Sequence, residues 1–320
     1  MTSFGYTSFS ALAPFAGVPA ATPEDLGDAR AAIVGAPFDW GTTARPGARF
    51  GPKAIREGDY LDLDGKRPHL DTGIDALTEL GVVDVGDVHV VPGYMEESID
   101  RIRTVVRQIA EAGAAPIVLG GDHTVTFPSA GGVADAVGHG KVALVHFDAH
   151  ADTADSHFGM LHGHGTPMRR LIESGAVPGG RFVQIGLRGY WPRPDVVAWM
   201  AEQQMSSFLM SEIVERGLDP VVDDAVALAG DGADGVYVSV DIDVVDPGMA
   251  PGTGTPEPGG LVPRQLLDTV RRLGRELNVV GADVVEVAPA YDGPGETTAR
   301  LANRVVLELL NGMAQRAQRS

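Results

Sequence analysis

Short apolar runs alternate with amphipathic stretches along most of the chain, and this alternation limits the possible folds more than any other feature. The apolar runs are almost continuous Val, Ile, Ala and Leu, which is typical of strands buried on both faces. The amphipathic stretches Glu96–Ala112, Pro263–Leu277 and Leu301–Ala317 have helical periodicity. The pattern predicts an α/β fold with a mostly parallel sheet covered on both sides. It also predicts a single domain over residues 1–320, with an N-terminal arm at residues 1–30. The predicted strands are Ala31–Gly35, Leu80–Val85, Pro116–Leu119, Val142–Phe147, Phe182–Gly186, Gly235–Val240 and Val279–Val285.

The chain is strongly acidic, with a formal net charge of −18, and it contains no cysteine. The missing Lys/Arg footprint argues against nucleic-acid binding, whereas the negative field modestly favours a cationic small molecule. The lack of cysteine excludes disulfides and thiolate metal sites, and it is compatible with a reducing cytosol. The N-terminus lacks the charged region of a signal peptide, and no apolar run approaches the roughly 20 residues that span a bilayer. We therefore expect a cytoplasmic protein that binds neither nucleic acid nor membrane.

The segment VALVHFDAHAD carries the most chemical information. It places Asp148, His150 and Asp152 at alternate positions directly after an apolar strand. While the backbone stays extended, alternate side chains point to the same side. Two carboxylates and an imidazole that converge at a strand end form a mixed oxygen and nitrogen site for a divalent cation. The alternative, solvated strand-end acids with a capping histidine, fits one such residue better than it fits all three.

Two further segments repeat this arrangement. In GVYVSVDIDVVDP, Asp241 and Asp243 lie two residues apart at a strand end, where neighbouring carboxylates need a shared proton or a cation. In PIVLGGDHTVTFP, His123 follows a strand and a Gly-Gly turn, where the backbone can approach a ligand closely. A lone histidine there is more often a loop residue, but beside the other two segments it is a candidate ligand. Asp246 precedes Pro247 and is explained by turn formation.

Together the three segments supply four carboxylates and two imidazoles, too many for one tetrahedral zinc. Four Asp charges balance two divalent ions, so the pattern predicts a bridged two-metal site of the kind that activates water for hydrolysis. Oxygen-rich ligation without Cys suits Mn²⁺ better than Zn²⁺, although Ni²⁺, Co²⁺ and Zn²⁺ are also admitted. The residues alone predict metal-assisted hydrolysis. The candidate ligands are His123, Asp148, His150, Asp152, Asp241 and Asp243.

As a set, these segments resemble the ureohydrolase family of arginase, agmatinase and related guanidino-acid hydrolases. The motifs GGDHTVTFP, HFDAHAD, SVDIDVVDP, GTGTPEPGG and VVEVAPAYD occur in that family's order, and TTARPGARFGPKAIR is similar to its N-terminal signature. The resemblance implies a three-layer, arginase-like fold, two Mn²⁺ per subunit, and assembly as a homotrimer or homohexamer. It further implies that one manganese is held by His123, Asp148, Asp152 and Asp241, and the other by Asp148, His150, Asp241 and Asp243.

The resemblance also implies roles for residues beside the metals. The implied reaction is hydrolysis of a guanidinium C–N bond to release urea, with Glu286 paired to the guanidinium. Read alone, Glu286 could equally be a surface acid, but a planar guanidinium suits a bidentate carboxylate. His164, rather than its neighbour His162, matches a loop histidine that shuttles protons, and Asp152 would pass a proton to the departing amine. His146 is expected on the opposite face, as a core histidine or a support for the ligands.

The far end of the guanidino compound decides the substrate. The motifs GTGTPEPGG and HGTP are more similar to the agmatinase, guanidinobutyrase and proclavaminate-amidinohydrolase branch than to arginase. The expected substrate is therefore agmatine, a small cation cleaved to putrescine and urea. Tyr190 and Trp191 could contact it by stacking, although packing explains Trp191 equally well. Arg188 or Arg193 could instead bind the carboxylate of 4-guanidinobutyrate or 3-guanidinopropionate, or be exposed surface charges. The aromatic pair could also indicate guanidine or an alkylguanidine.

Two rival functions from other classes stay open. A binuclear hydrolase of an acetyl-lysine-like amide should lack the second metal's ligand set or Glu286, and both are present. A non-catalytic partner subunit should have lost metal ligands, and none of the six is lost. An amidinohydrolase therefore remains the preferred interpretation.

Overall fold

Eight strands form the centre of the molecule. The structure, a computed structural model, describes residue 11 and residues 13–319. The strands are β1 (Ala31–Ala36), β2 (Val83–Asp87), β3 (Ala115–Gly120), β4 (Val142–Phe147), β5 (Phe182–Leu187), β6 (Ser206–Leu209), β7 (Gly235–Asp241) and β8 (Val279–Val285). They form one sheet in the order β2-β1-β3-β8-β7-β4-β5-β6, and all neighbouring strands are parallel. The predicted parallel α/β sheet is therefore confirmed.

Helices cover both faces of this sheet and complete the three layers. They are α1 (Gly51–Glu57), α2 (Ala76–Glu79), α3 (Met95–Glu111), α4 (Thr126–Val137), α5 (Pro167–Glu173), α6 (Pro194–Glu202), α7 (Met210–Arg216), α8 (Leu218–Gly230), α9 (Pro263–Glu276) and α10 (Thr297–Ala317). Side chains of α1, α2 and α7–α10 form one apolar core with the sheet. Those of α3, α4 and α5 form the other. No helix in the described part of the chain is long and apolar enough to cross a membrane.

Successive strand residues alternate between these two cores. Ile33 of β1 and Val145 of β4 pack into the first core, whereas their neighbours Val34 and Leu144 pack into the second. Because successive side chains point to opposite faces and both faces are covered, nearly every position in these strands must be apolar. The two-sided cover explains the continuous apolar runs in the sequence.

All seven predicted strands are present, and Val142–Phe147 and Val279–Val285 have the predicted bounds. The strand predicted at Leu80–Val85 begins only at Val83, because Leu80 ends α2 and its backbone N–H bonds the Ala76 carbonyl. β6 is not predicted from the sequence. It is a four-residue edge strand, SSFL, with two polar positions. The three predicted helices correspond to α3, α9 and α10, and α10 begins at Thr297.

The predicted N-terminal arm, residues 1–30, is described in part. Residues 1–10 and 12 lie outside the described residues. Beyond them, Phe15 and Val18 are buried, and the Phe15 N–H donates to the Asp84 carboxylate at 2.7 Å. Ala20 forms a parallel bridge with Asp84. The described part of the arm therefore packs beside β2.

The order of the strands decides where polar loops meet. β3, β8, β7 and β4 are consecutive neighbours in the middle of the sheet. In a parallel sheet the carboxyl ends of the strands share one edge, and ligands bind in the crevice beyond it. The segments that follow these four strands are therefore brought together.

Candidate metal centre

The six predicted ligands all lie at the carboxyl edge of the central strands. His123 begins a 3-10 turn (His123–Val125) just after β3. Asp241 is the last residue of β7, and Asp243 lies in the 3-10 turn that follows it (Ile242–Val244). The other three, which follow β4, are Asp148, His150 and Asp152.

One half of the cluster surrounds the imidazole of His123. Its Nδ1 lies 3.1 Å from Asp148 Oδ2, 3.0 Å from Asp152 Oδ2 and 3.1 Å from Asp241 Oδ2. Within the described residues this nitrogen has no hydrogen-bond partner of acceptable geometry. One imidazole nitrogen and three carboxylate oxygens, all able to bind a metal ion, thus converge at the ends of three strands.

The other half surrounds His150. Its Nδ1 lies 3.0 Å from Asp243 Oδ2 and 3.4 Å from Asp148 Oδ1. Asp148 therefore presents one carboxylate oxygen to each histidine. Asp241 Oδ1 accepts the backbone N–H of Asp243 at 2.8 Å, which fixes the carboxylate of Asp241. The contacts form two adjoining donor groups that share Asp148.

The alternate spacing suggests that an extended backbone brings the ligand side chains together. The structure shows a different cause. β4 ends at Phe147, and Asp152 has φ 52°, in the left-handed region that is unusual for a residue other than glycine. Asp243 lies in the 3-10 turn, where Asp241 caps the turn with its side chain. The side chains meet because the loops turn back over the sheet edge.

The cluster buries more negative than positive charge. Asp148, Asp241 and Asp243 are each at most 2% exposed. Burial, together with the neighbouring charges of Asp243 and Asp148, raises the pKa of Asp241 well above its usual range. Buried carboxylates this close require a compensating cation or proton. The donor set, with its unpartnered His123 nitrogen, fits divalent cations.

His146 corrects one expectation. It does not lie on the opposite face, because its Nε2 is 2.8 Å from Asp148 Oδ2. Gln184 donates its amide N–H both to the Ala151 carbonyl and to His146 Nδ1, each at 2.9 Å. Since a carbonyl can only accept, the Gln184 nitrogen is the donor, and His146 must carry its proton on Nε2. His146 therefore donates to Asp148 and fixes that carboxylate.

Glu286 follows β8 and is 1% exposed. Its Oε1 accepts the backbone N–H of His123 at 2.9 Å and lies 3.1 Å from His164 Nδ1. Burial opposes the charged form, but the contact with His164 outweighs it and lowers the pKa of Glu286. In the part of the chain that is described, Oε2 has no hydrogen-bond partner. One carboxylate oxygen is thus anchored and the other is free.

His164, and not His162, faces the site. Its Nε2 lies 3.2 Å from the Thr43 N–H and 2.7 Å from the Thr43 hydroxyl. Burial opposes its positive charge, yet the hydrogen bond and charge of Glu286 raise the pKa of His164 to about 9. His162 stacks on Phe127 instead, with ring centroids 5.3 Å apart. Nε2 thus accepts the Thr43 N–H, and Nδ1 carries the proton that is donated to Glu286.

A cavity of about 520 Å³ opens above these side chains. Trp191 contributes to its wall, whereas Tyr190 does not line it and is fully exposed. None of the described residues that line the cavity is Lys or Arg. The lining is Thr43, His150, Asp152, Ser156, His157, Phe158, His164, Gly165, Trp191, Asp241, Thr255 and Glu286.

The two candidate arginines are engaged elsewhere. Arg188 donates to the carbonyls of Asp243, Val244 and Glu257, which ties the turn after β7 to a neighbouring loop. Arg193 pairs with Asp195 at 2.9 Å, and both side chains are about two-thirds exposed. Neither arginine lines the cavity above the cluster.

Comparison with known proteins decides the family. A family model described as "Arginase family" matches residues 29–311. The chain belongs to the arginase family. An "Agmatinase, mitochondrial" from Gallus gallus is 44% identical over 282 residues, which is 88% of this chain and 80% of that protein. A "Guanidinopropionase" from Pseudomonas aeruginosa is 41% identical over 314 residues, 98% of this chain and 95% of that protein.

Solved structures give the same family and fold. The "proclavaminate amidino hydrolase from Streptomyces clavuligerus" matches with a TM-score of 0.87 and 38% sequence identity. The match covers 97% of this chain and 100% of that one. The arginase-like α/β fold expected from the motifs is therefore confirmed.

Besides Gln184, sequence reasoning misses three residues that support this arginase-family site. Thr43 contacts His164, and its signal is its place in the TTARPGARF motif. Ser239 lies 3.0 Å from His123 Nε2, and it precedes Asp241 by two residues on the same strand. Asp283 accepts from Ser239 at 2.7 Å. As the only charged residue in the apolar strand VVGADVV, Asp283 signals a buried polar network.

Proposed function

We propose that the chain is a binuclear-metal amidinohydrolase that cleaves a guanidino compound to urea and an amine. The free Oε2 of Glu286 carries this proposal. Its carboxylate is buried, and Glu286 lines the same cavity as Asp152 and Asp241. A planar guanidinium is the donor group that such a carboxylate binds best.

Two divalent cations, most simply Mn²⁺, fit the two donor groups. His123, Asp148, Asp152 and Asp241 would hold one ion, and Asp148, His150, Asp241 and Asp243 the other. The presentation of one Asp148 oxygen to each histidine supports the bridging role of Asp148. When bound, such a pair lowers the pKa of water and supplies a nucleophile near neutral pH.

The protein side chains would position the substrate and move protons. Glu286 orients the guanidinium carbon over the cluster, because its Oε1 is fixed by the His123 N–H. His164 is held between Glu286 and Thr43 with its Nδ1 toward the Glu286 carboxylate, and the negative charge of Glu286 raises its pKa, so it would act as a proton shuttle at the cavity wall. Asp152 lines the same cavity and is placed to pass a proton to the departing amine.

Agmatine is the substrate that the cavity supports best. Its lining carries the carboxylates of Asp152, Asp241 and Glu286, and no Lys or Arg is found among the described lining residues. The metal ions and the guanidinium would use these three carboxylates, so agmatine is preferred because a substrate carboxylate would meet no cationic side chain except His164 among the described lining residues. The engagement of Arg188 with three backbone carbonyls removes the arginine that an acid would need.

A guanidino acid is the second candidate, because a guanidinopropionase is 41% identical over 98% of this chain. Trp191 and His157, whose rings lie 6.4 Å apart, form the part of the wall that would contact the substrate tail. An uncharged tail-binding wall of this kind accepts either an amine or an acid if water completes its hydrogen bonds.

The deciding experiment measures urea release after reconstitution with Mn²⁺ or Ni²⁺. Agmatine, 4-guanidinobutyrate, 3-guanidinopropionate, arginine and guanidine are compared by kcat/KM. We expect agmatine to be the best substrate. A higher value for either guanidino acid would replace agmatinase by the second candidate, and no urea from any compound would refute the proposed chemistry.

We further propose a cytoplasmic homotrimer or homohexamer in which residues 1–320 act as a single catalytic domain. The complete lack of cysteine supports a reducing compartment. Light scattering of the purified protein tests the assembly, and a mass of 33.5 kDa, that of one chain, would refute it.

A further inference from the structure

A buried chain of hydrogen bonds leads away from the metal centre through the back of His123. Ser239 Oγ lies 3.0 Å from His123 Nε2 and donates its hydrogen to Asp283 Oδ1 at 2.7 Å. Asp283 Oδ2 accepts from the Thr126 hydroxyl at 2.9 Å and from the Tyr237 hydroxyl at 2.8 Å. All five residues are completely buried. The proposed mechanism uses neither Ser239 nor Asp283.

The direction of these hydrogen bonds is determined. A serine hydroxyl has one hydrogen, and that of Ser239 is given to Asp283. Ser239 can then only accept from His123, so Nε2 must carry the ring proton. In the neutral imidazole, Nδ1 is left with its lone pair, directed at the oxygens of Asp148, Asp152 and Asp241.

We propose that Ser239 and Asp283 are positioning residues that hold His123 in the tautomer able to bind a metal ion. Both act through His123 and touch neither substrate nor metal. The inference rests on the proposed metal centre. Its consequence is that the affinity of one of the two sites depends on an aspartate that lies behind a serine and a histidine.

The neighbouring histidine shows the opposite arrangement. The Gln184 amide donates to His146 Nδ1, which leaves the proton of His146 on Nε2, facing Asp148. His146 therefore has no free lone pair toward the cluster, although it lies as close to Asp148 as His123 does. The acceptor Ser239 thus leaves His123 free to bind a metal ion, whereas the donor Gln184 makes His146 a hydrogen-bond donor to Asp148.

The sharpest test is Asp283→Asn, which keeps the shape of the side chain. The amide oxygen can accept from both Thr126 and Tyr237 only if the amide nitrogen faces Ser239. Ser239 must then accept from the amide and donate to His123 Nε2, which moves the ring proton to Nδ1. We expect Mn²⁺ affinity at one of the two sites to fall about 10- to 100-fold.

Ser239→Ala and Tyr237→Phe complete the series. Ser239→Ala leaves His123 without a fixed tautomer, so we expect a smaller loss than in Asp283→Asn. Tyr237→Phe removes a hydrogen bond from the same buried carboxylate without touching Ser239, so it should lower thermal stability and leave Mn²⁺ affinity unchanged. The readouts are Mn²⁺ stoichiometry and affinity by equilibrium dialysis, with Mn²⁺ as the only added ligand, and the melting temperature.

The outcomes separate this inference from the proposed function. A wild-type protein that binds no Mn²⁺ would refute the metal centre itself. Two tight sites in wild type and in folded Asp283→Asn would refute the positioning role. An affinity loss in Tyr237→Phe as large as in Asp283→Asn would also overturn it, because stability alone would then account for the effect. If Asp283→Asn does not fold, Ser239→Ala decides by the same criterion.

Discussion

Replacement of Glu286 by glutamine tests the recognition of the guanidinium most directly. Glutamine has the same shape, and its oxygen must take the place of Oε1, because the His123 N–H there can only donate. The amide nitrogen then replaces Oε2, the oxygen that has no hydrogen-bond partner among the described residues. The carboxylate oxygen accepts hydrogen bonds from a guanidinium, whereas the amide nitrogen of glutamine can only donate, so the variant would place two donors against each other.

The expected loss follows from the burial of this carboxylate. Truncating one partner of a buried, hydrogen-bonded charge pair costs about 2–5 kcal/mol. At about 1.4 kcal/mol for each factor of ten, kcat/KM for agmatine should fall roughly 30- to 4000-fold. The metal content should not change, because Glu286 contacts the backbone of His123 and not its ring.

The assay is urea release together with Mn²⁺ content and melting temperature for each variant. Asp195→Asn is the matched control, since this carboxylate is 65% exposed and does not line the cavity. Its kcat/KM should equal that of wild type. Glu286→Gln with full metal content and a kcat/KM within about threefold of wild type would refute the role of Glu286.

Three further predictions concern the metal, the cavity wall and pH. Removal of metal by a chelator should abolish urea release and lower the melting temperature. Asp148→Ala should prevent recovery on adding Mn²⁺, and retained turnover would refute the bridging role. Trp191→Ala should raise KM for agmatine about two- to fivefold, whereas Tyr190→Ala, at a fully exposed position, should not change it. The hydrogen bonds from Arg103 lower the pKa of Asp135 to about 2 in the folded protein, below its value in the unfolded chain. This pair therefore stabilises the fold above pH 4 and loses its effect as pH falls toward 2. Asp135→Asn should be less stable than wild type at pH 7 in urea unfolding, and a constant difference down to pH 3 would contradict this.

The sequence predicts the buried strands well because burial on both faces leaves few polar positions. Val142–Phe147 and Val279–Val285 are correct to the residue for this reason. The strand Ser206–Leu209 is not predicted, because an edge strand needs little apolar surface. Leu80 and Val82 are misassigned because their burial comes from the end of a short helix, and apolar character alone does not distinguish the two.

The candidate site is predicted in its membership but not in its geometry. Six ligand candidates follow from residue type and spacing, and the structure brings them together. The left-handed backbone of Asp152 and the orientation of His146 do not follow, because both depend on contacts with distant segments. Gln184 and Asp283 are far in sequence from the histidines they support. Asp283 stands out as a charge in an apolar strand, but local spacing does not show which side chain either residue contacts.

The hydrogen bond from the His123 N–H to Glu286 has a mechanical consequence. It joins the turn after β3 to the turn after β8, which belong to adjacent strands of a rigid sheet. Glu286, which would bind the substrate, and His123, which would bind a metal ion, are therefore held at a fixed distance from each other. Motion of the cavity wall around His157 and Trp191 can widen or narrow the entrance to the cavity without changing the distance between Glu286 and His123. Substitutions in that wall can therefore change the substrate preference, while the distance between the substrate-binding carboxylate and the metal centre stays constant.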